Sequence, residues 1–555
     1  RTIENLKSVL GETLDDKLIQ DHPILQHGIH GIPFDDDATY DLLGRGETVG
    51  VFQLESGGMR KNILELKPRN VGELAAMVAL YRPGPIGEIP TFIDRKFGRK
   101  PTEYLHPLME PILKETYGVI VYQEQVQKLA QNLAGFSLGK GDVLRRAMGK
   151  KQKEILDSML PEFKSGCLER GVPEETAMAV WELLIPFADY AFNKAHAVCY
   201  GVLAYQTAYL KAHYPHEYMA ALLACYREKE DRIVAFIQEC RHMGISVLPP
   251  DVNLSSVDFT VETTEQGRKV IRFGLAAIKG VGPGLVQKII EERKAGPYTH
   301  LYDFCERCRP FALNKGALEA MVEAGALSSI EPNRQTLLDH LEAGLAYADL
   351  MARTKEAGQD SLFGDGPDAG DARMDHPQLP VGRVLSRSDI LAMEKKVMGI
   401  YISDHPLRGL ERSLAAAATH TCAQALEADS ELRVTLAGLL TSAQHGITRK
   451  TKQKMVRFTL EDFSGSVSGM ILGENYNKVG HLVEKDAIVS LKGSLKVDER
   501  PGAAQKEITL FVNEVKPLDL SPNTVYVPDA GMEGGVVVRV VRAGLSQVQK
   551  LKELI

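Results

Sequence analysis

The chain has 555 residues, which at roughly 100–200 residues per domain predicts three to five domains. Its 44% hydrophobic and 25% charged residues are typical of a globular protein with an ample core. No apolar run reaches the roughly 18 residues that span a bilayer, so we do not expect a membrane protein. Seven scattered cysteines argue against a disulfide framework and for a reducing compartment. Because the sequence opens at Arg1 without Met or a signal peptide, we expect a fragment of a longer protein.

The net charge of -7 does not exclude a polyanionic partner, because local fields decide which surface attracts one. Six basic residues stand against two acidic ones between Lys140 and Glu154, and five against two between Arg82 and Lys100. Five more, with no acid among them, lie between 446 and 457. Together these three basic islands indicate a polyanion bound along one path. Each island alone is explained equally well as a solvated face.

Residues 1–250 are predicted to be mainly helical. Large side chains recur at helical spacings of three and four in two stripes, and Gly135 near the end of the second is a stop signal. We interpret both stripes as helix faces buried in the core, and a helical region of this size is expected to contain subdomains. The first stripe consists of Tyr200, Leu203, Thr207, Leu210 and Tyr214, and the second of Val126, Leu129, Leu133 and Phe136.

A different pattern begins at residues 248–251, where two prolines end the helical region and a β-like stretch at 270–273 follows. The segment 278–284 then reads IKGVGPG. Two glycines around an apolar residue predict a helix-hairpin-helix turn, whose bare N–H groups and helix N-terminus can hold a phosphate oxygen without reading bases. The alternative is a plain connection between two helices. A weaker second copy is expected at 313–316 together with 324–327.

The stretch 358–382 is rich in Gly, Asp and Pro, and two basic residues stand against six acidic ones between Lys355 and Asp375. Such a composition cannot bury enough apolar surface to offset its ordering entropy, so a flexible linker is predicted. Within it, the segment 359–364 places a Leu-Phe pair in a solvated context. Short anchors of this kind dock into a partner's apolar pocket. A five-residue pattern alone is weak evidence for a docking motif, because it occurs often by chance. The position of this pattern in a linker strengthens that evidence.

Beyond the linker the apolar periodicity changes to two. Four alternating segments with Gly-rich turns over about 85 residues predict a small closed or nearly closed β-barrel. A further unit is expected from about residue 521, with a β-like run at 536–541 followed by a helix. Because the sequence stops at Ile555 within this expected helix, we expect this end to be cut as well. The alternating segments are 432–440, 456–460, 489–497 and 508–512.

Two further segments, 144–151 and 192–197, combine cations with stacking surfaces. Guanidinium groups suit bidentate contact with phosphate, while lysines act as point charges. Lys194 and His196 lie beside aromatic residues, as a nucleotide site requires, although an isolated histidine is more often a satisfied structural residue. The cations of the first segment are Arg145, Arg146, Lys150 and Lys151, and the aromatic residues near the second are Tyr190 and Phe192.

Several chemistries have no matching pattern. There is no Walker-type loop and no Gly-x-Gly-x-x-Gly after a strand. Cys305 and Cys308 form a single CxxC with His300 nearby, which predicts two helix cysteines rather than a zinc site. The run 35–37 is interpreted as an acidic turn, and no convincing pair of carboxylates is suited to hold two magnesium ions. We therefore expect no metal site in this chain.

Several segments occur in one recognisable order along nearly the whole chain: 51–56, 81–85, 121–126, 144–151, 192–196, 205–207 with 210–215, and 248–253. In that order they closely resemble the alpha subunits of bacterial DNA polymerase III, the C-family replicative polymerases. The resemblance implies a multidomain α+β fold. Its parts would be a large helical fingers domain with palm-edge residues at the start (1–250), a tandem helix-hairpin-helix region (251–350), a linker and clamp-binding region (351–425), an OB-fold barrel (426–518) and the start of a small α/β tail domain (519–555).

The resemblance also implies roles for individual residues. The residues around the incoming nucleotide would be Arg145, Arg146, Tyr190, Asn193, Lys194 and His196. The DNA contacts would be Arg82, Lys150, Lys151, Lys279, Gly280, Gly282, Gly284, Arg449, Lys450, Lys452 and Lys454, with single-stranded template at the barrel loop 449–457. The internal sliding-clamp motif would be Gln359, Ser361, Leu362 and Phe363. Mg²⁺ would be held by palm aspartates outside this chain.

The resemblance implies a subunit that adds dNTPs to a primer 3′ end under the direction of a template, in the bacterial cytoplasm. This chain alone, which lacks the palm aspartates, would not polymerise DNA. The implied partners are primer-template DNA, single-stranded template, dNTP, the sliding clamp and other replicase subunits, including a clamp-loader component and a proofreading exonuclease, with no membrane. One alternative is a self-standing DNA- and clamp-binding module without chemistry. Another is that the basic islands are solubility surface alone.

Overall fold

The computed structural model describes residues 1–5, 24, 27–149, 152–188, 191–311, 313–356, 376–404, 406–426, 431–448, 452–498 and 507–518. The chain divides into two compact units, Arg1–Ser403 and Asp404–Ile555. Across the described ranges, no helix combines the length and the apolar character needed to cross a membrane.

The first part of the larger unit is helical, as predicted. Side chains cap several of its helices, because Asp36, Ser56 and Asn70 each accept a hydrogen bond from the first turn that follows. Short 3₁₀ turns lie at 28–31, 85–88, 107–109 and 114–116. The helices are α1 (Asp37–Gly44), α2 (Gly57–Leu66), α3 (Val71–Leu80), α4 (Ile89–Lys96), α5 (Glu110–Leu113), α6 (Gln123–Ala134), α7 (Leu138–Gly149), α8 (Lys153–Glu169), α9 (Glu174–Ala188), α10 (Lys194–His213), α11 (Pro215–Cys225) and α12 (Glu230–His242).

The stripe predicted on α6 is confirmed as a buried face. It ends at Gly135, whose φ of 71° is left-handed and suits the C-cap of a helix. Helices α6 to α9 share a hydrophobic core separate from that of the surrounding helices. Its members include Val126, Leu129, Leu133, Phe163 and Leu184.

The stripe predicted on α10 is largely wrong as a buried face. Of its five residues only Leu210 is buried, and Leu203 is 42% exposed. The packed face instead carries small residues, and a Cβ added to Gly201 would lie 3.0 Å from the Ala75 nitrogen on α3. Two helices can approach this closely only where small side chains meet. The buried face includes Ala197, Gly201, Ala204, Tyr205 and Ala208.

The second part of the larger unit begins with a small sheet of β1 (Val247–Leu248), β2 (Thr260–Thr263) and β3 (Lys269–Arg272). β3 confirms the predicted β-like stretch, and it pairs in parallel with β1 and antiparallel with β2. Short 3₁₀ turns lie at 275–277, 293–295 and 309–311. The helices that follow are α13 (Pro283–Glu292), α14 (Leu301–Cys308), α15 (Lys315–Glu323), α16 (Arg334–Asp339), α17 (Leu341–Glu356) and α18 (Arg387–Met398).

After the predicted linker the chain returns to the same unit. Arg334 on α16 donates to the buried Glu394 of α18 at 2.8 Å. The linker's own last residues are also anchored, since the Gly382 amide donates to Thr336 Oγ1 at 2.9 Å and the Gly382 carbonyl accepts from Asn333 at 3.1 Å. The predicted clamp residues Gln359, Ser361, Leu362 and Phe363 lie outside the described residues.

The second unit contains the predicted barrel. Its elements are α19 (Glu411–Ala417), α20 (Cys422–Leu426), β4 (Leu432–Ile447), β5 (Lys454–Glu461), β6 (Ser466–Leu472), α21 (Gly473–Val479), a 3₁₀ turn at 480–482, β7 (Ile488–Asp498) and β8 (Glu507–Pro517). The strands close in the order β4-β5-β6-β8-β7, and β6 pairs with β8 in parallel. Most of the predicted alternating residues are buried in the barrel core, whereas Leu432 is exposed, and β6 was not predicted. Residues 519–555 lie outside the described part.

Candidate functional site

The segment before α10 is fixed against the start of α6. The Phe192 amide donates to Val121 O at 3.0 Å, and the Gln123 amide donates to Phe192 O at 2.9 Å. The Gln123 side chain donates to Ala191 O at 3.2 Å and accepts from Arg145 Nη1 at 3.1 Å. Gln123 therefore connects the two segments that are predicted to be cationic sites. These segments lie some 50 residues apart in the sequence.

The N-terminus of α10 is capped by two side chains. Asn193 Oδ1 accepts from the His196 amide at 2.9 Å. Asn193 Nδ2 donates to Glu124 Oε1 at 3.0 Å, while Glu124 Oε2 accepts from the Lys194 amide at 2.9 Å. A carboxylate thus already satisfies part of the positive end of this helix. Asn193, predicted to surround a nucleotide, orients the segment in this structure.

Among the described residues, the cations predicted to surround the nucleotide, Arg145, Arg146 and Lys194, each have a carboxylate partner. Arg145 and Arg146 share Asp142, at 2.8 and 2.7 Å, and the hydrogen bond from Arg145 lowers the pKa of that carboxyl. Lys194 Nζ lies 2.6 Å from Glu115 Oε2. The cations of the Arg146 and Lys194 pairs are exposed, whereas the Arg145–Asp142 pair is partly buried. Exposed ion pairs contribute at most about 1 kcal/mol, so an incoming anion can replace the carboxylates of the exposed pairs. The predicted Tyr190, Lys150 and Lys151 lie outside the described residues.

Four aromatic rings, which we name the aromatic row, follow one another from the segment before α10 to its second turn and beyond. The Phe192 and His196 ring centroids are 5.3 Å apart, those of His196 and Tyr200 4.3 Å, and those of Tyr200 and Phe52 5.3 Å. The Arg82 guanidinium lies 4.1 Å above the Phe192 ring, a cation–π contact. Burial lowers the pKa of Arg82. The row is a stacking surface with a cation at one end.

A cavity of about 700 Å³ lies against the aromatic row, a size that suits a small-molecule ligand. One wall is the turn that precedes α2, and another is formed by side chains of α11 and α12. Its lining includes Gly50, Val51, Phe52, Gln53, Arg82, Phe192, His196, Tyr200, Thr207, Tyr218 and Phe236.

Residues 47–54, named here the cavity loop, are held by side chains of α10 and α11. Thr207 Oγ1 accepts from the Phe52 amide at 3.1 Å, and Tyr218 Oη donates to Gly50 O at 2.7 Å. Gly50 has a φ of 76°, which favours glycine, and a Cβ there would displace the end of the Leu222 side chain. Gln53 has a φ of 63°, a left-handed backbone conformation that is unfavourable for most residues other than glycine and asparagine.

The predicted glycine-rich turn leads into α13. Gly280 has a φ of 84°, and Gly282 precedes the helix as its N-cap, with Pro283 at the first helical position. Nothing lies within 4 Å of a Cβ added at Gly280, Gly282 or Gly284, so these backbones face open space. The element before the turn is the 3₁₀ turn 275–277 rather than the helix expected there.

Lys279 in this turn is less available than predicted. Its ammonium lies 2.7 Å from Glu230, and its amide donates to Val397 O at 2.9 Å. The weaker second copy of the pattern also has helical structure, since Asn314 caps α15 by accepting from the Ala317 amide at 2.9 Å.

The predicted basic loop of the barrel connects β4 and β5. Lys452 has a φ of 54° and its amide donates to Thr448 O at 3.1 Å, while Lys454 begins β5 opposite Ile447. Both lysine side chains are exposed. Arg449 and Lys450 lie outside the described residues.

Comparison with known proteins connects these regions. Residues 8–171 match the family model of the bacterial DNA polymerase III alpha subunit finger domain, 244–337 that of a helix-hairpin-helix motif, and 434–518 that of an OB-fold nucleic acid binding domain. The chain is 38% identical to the DNA polymerase III subunit alpha of Saccharopolyspora erythraea over 98% of its length, 40% to that of Bacillus subtilis over 86%, and 42% to that of Thermus aquaticus over 82%. The chain belongs to the bacterial DNA polymerase III alpha subunit family.

The chain spans less than half the length of these relatives, covering 46%, 42% and 37% of them respectively. The predicted resemblance and fold class are confirmed: a helical finger region, a helix-hairpin-helix region and a five-stranded closed barrel. The assignment of single residues to nucleotide, DNA or clamp stays a prediction, as do the predicted domain boundaries.

The family implies a divalent metal, and the described residues do not fit one. Among them, no three His, Cys, Asp or Glu side chains are grouped so as to hold a metal ion. In the acidic turn, Asp36 caps α1 and pairs with His213 at 2.8 Å. The thiols of Cys305 and Cys308 are buried in α14, which raises the pKa of each to about 12. We assign no metal ligand in the described part of the chain.

Sequence reasoning missed three residues of this site. Gln123, which joins the two cationic segments, and Phe52, which ends the aromatic row, both fall in segments used only for the family resemblance. Tyr200 was interpreted as core. The available signal was a histidine and an aromatic residue four positions apart on one helix, which places their rings side by side.

Proposed function

We propose that this chain forms the nucleotide- and DNA-binding part of a replicative DNA polymerase alpha subunit, which adds dNTPs to a primer 3′ end in the bacterial cytoplasm. Mg²⁺ would supply charge stabilisation at the reacting phosphate, held by carboxylates outside the described residues. One observation carries the proposal: the Gln123 side chain accepts a hydrogen bond from Arg145 and donates one to Ala191 O, in the segment where the aromatic row begins.

In this proposal the chain's own residues bind and orient the substrate. Arg145, Arg146 and Lys194 exchange their carboxylate partners for phosphate oxygens, because guanidinium and ammonium groups bind a triphosphate more strongly than a single carboxylate. The aromatic row and Arg82 offer stacking surface to a base or sugar beside the cavity. These groups would fix the nucleotide in one orientation while the reacting atoms meet.

The DNA contacts are proposed at two places. Open backbone at Gly280, Gly282 and Gly284, with the N-terminus of α13 behind it, supports phosphate contact without base reading. The exposed Lys452 and Lys454 on the barrel loop support contact with single-stranded template. The Leu-Phe pair in the linker would bind the sliding clamp, and the resemblance adds a clamp-loader component and a proofreading exonuclease as partners.

The test is primer extension by the full-length subunit carrying Arg146→Ala. Losing a charge-assisted contact to phosphate costs about 1.5–3 kcal/mol, so we expect kcat/KM for dNTP to fall at least tenfold. Arg69→Ala is the matched control, because Arg69 is also an exposed arginine paired with an aspartate, Asp41, and lies in the loop between α2 and α3. Kinetics equal to those of the unmodified subunit would remove Arg146 from the site.

The alternative, a DNA-binding module without chemistry, is favoured by one observation, the open glycine backbone, which needs no nucleotide site nearby. Binding of a fluorescent dNTP by the chain separates the two proposals, since a pure DNA module would not bind it. Phosphate contacts predict that the log of DNA affinity falls with the log of salt by about 0.7 per contact on single strands, whereas a mere solubility surface predicts almost no salt dependence.

A further inference from the structure

A lysine near the C-terminal end of α10 is completely buried. Lys211 on α10 has no exposed side-chain surface, although lysine is rarely buried. Its ammonium donates to Glu47 O at 2.8 Å, to Val49 O at 2.9 Å and to Glu239 Oε1 at 2.6 Å. All three N–H donors of the ammonium are thereby used. Burial lowers the pKa of Lys211, and the Glu239 carboxylate opposes that shift.

The two carbonyls belong to the cavity loop. Gly50 to Gln53 of that loop line the cavity, directly after the anchored Val49. The backbone there is left-handed at Gly50, where glycine adopts this conformation freely, and at Gln53, where it persists only because the surroundings hold it. Because a buried charge is expensive to keep, a contact that fixes this strained backbone is a specific use for it.

The anchors and the aromatic row lie on the same helix. His196, Tyr200, Thr207 and Lys211 are spaced by four, seven and four residues, which places them along one side of α10. His196 and Tyr200 belong to the aromatic row, while Thr207 and Lys211 bind the cavity loop. One helix therefore sets the distance between the loop and the row.

We propose that Lys211 is a positioning residue of the nucleotide site, which holds the cavity loop in the shape that places the Phe52 ring against Tyr200 and Gln53 at the cavity. The proposal rests on the proposed function, because it takes the cavity to be part of a nucleotide site. Without Lys211 the loop would relax, the Phe52 ring would leave Tyr200, and nucleotide would bind more weakly.

The larger unit contains a matched control. Lys96 on α4 is 9% exposed and has the same set of acceptors, two carbonyls and a glutamate. It donates to Leu66 O, Lys67 O and Glu73 Oε2, each at 2.8 Å. None of these residues lines the cavity. The two lysines therefore share the types of their acceptors and differ in what they hold, and Glu73 also accepts from Tyr117 Oη and the Arg69 amide.

The experiment compares two paired variants of the full-length subunit, Lys211→Met with Glu239→Gln and Lys96→Met with Glu73→Gln. Each pair removes both charges, so no lone buried carboxylate remains to unfold the protein. Thermal unfolding measures the cost to the fold, and steady-state primer extension gives KM and kcat separately. We expect similar losses of thermal stability, with a KM for dNTP raised about tenfold only in the Lys211–Glu239 variant.

A milder variant covers the case in which a paired variant does not fold. Thr207→Val keeps the size of the side chain but removes the acceptor of the Phe52 amide, and we expect it to raise the KM for dNTP about threefold. An unchanged KM in this folded variant would overturn the proposal.

The remaining outcomes separate this proposal from the proposed function. If both paired variants change KM equally while Arg146→Ala still weakens nucleotide use, Lys211 has only a structural role and the nucleotide site stands. If neither Arg146→Ala nor the Lys211–Glu239 variant changes nucleotide KM, the cavity is no nucleotide site and both proposals are wrong.

Discussion

Two lysines on α10 use the same side chain in opposite ways. At the N-terminal end Lys194 pairs with Glu115 in an exposed salt bridge. Near the C-terminal end Lys211 is enclosed by two carbonyls and Glu239. An exposed pair contributes at most about 1 kcal/mol and exchanges easily, whereas breaking a buried pair costs about 3–5 kcal/mol.

The difference teaches how a single helix can combine a binding end with a fixed end. A cation that must receive an anionic ligand has a partner that the ligand can replace. A cation that fixes the shape of the cavity loop, such as Lys211, has all three N–H donors of its ammonium group occupied. The two ends are separable, because each depends on different neighbours: the first on α6 and the turn before it, the second on the cavity loop and α12.

The largest effect is expected from breaking the buried end. Lys211→Met alone leaves Glu239 enclosed without its cation, so we expect the free energy of unfolding to fall by about 3–5 kcal/mol. Urea denaturation followed by circular dichroism measures it. The paired variant Lys211→Met with Glu239→Gln should recover much of this loss. Equal losses in the single and paired variants would show that the two charges are not coupled, and the comparison between the two ends would lose its basis.

A smaller effect is expected between the two ends, where α10 packs on α3. A side chain at Gly201 would press on Ala75, so we expect Gly201→Val to cost about 1–3 kcal/mol of unfolding free energy. Gly139→Ala on α7 is the control, because nothing lies within 4 Å of its added Cβ, and helix propensity predicts a gain of about 0.5–1 kcal/mol. Thermal unfolding compares them. A neutral Gly201→Val would mean that this face does not hold α10 in place.

The sequence predicted those parts of the fold that depend on local pattern. The apolar period of three and four gave α6, with its end at Gly135, and the period of two gave the barrel strands β4, β5, β7 and β8. β6 was not predicted because Ser466, Ser468 and Gly469 leave too few apolar residues to form a clear alternating pattern. The open glycine turn was predicted from spacing alone, because the left-handed backbone at Gly280 needs a residue without a side chain.

The parts that sequence could not supply depend on distant contacts. The large residues of α10 were interpreted as core, yet close helix packing selects small ones such as Gly201, and periodicity weighted by size points to the wrong face. A lysine such as Lys211 is normally predicted to be exposed, and its burial arises from a loop more than 160 residues earlier in the chain. For the candidate site, the sequence supplied the cations but not Gln123, which brings them together.

The smallest effect is expected from releasing the exposed end. Glu115→Gln keeps the size of the side chain but removes the charge that neutralises Lys194. If Lys194 meets a phosphate, losing its competitor should lower the KM for dNTP about two- to threefold, which corresponds to about 0.5 kcal/mol, within the range of an exposed pair. The free energy of unfolding should change by no more than about 0.5 kcal/mol. Primer extension by the full-length subunit measures the KM.

The direction of this change is what makes it informative. A residue that merely supports the fold would raise KM when substituted, whereas an internal competitor lowers it. Glu110→Gln is the control, because Glu110 is also exposed and pairs with Lys114, which is not one of the predicted nucleotide-binding cations. A raised KM for Glu115→Gln would show that Lys194 needs its partner in place, and then the N-terminal end of α10 would be as fixed as the end that holds Lys211.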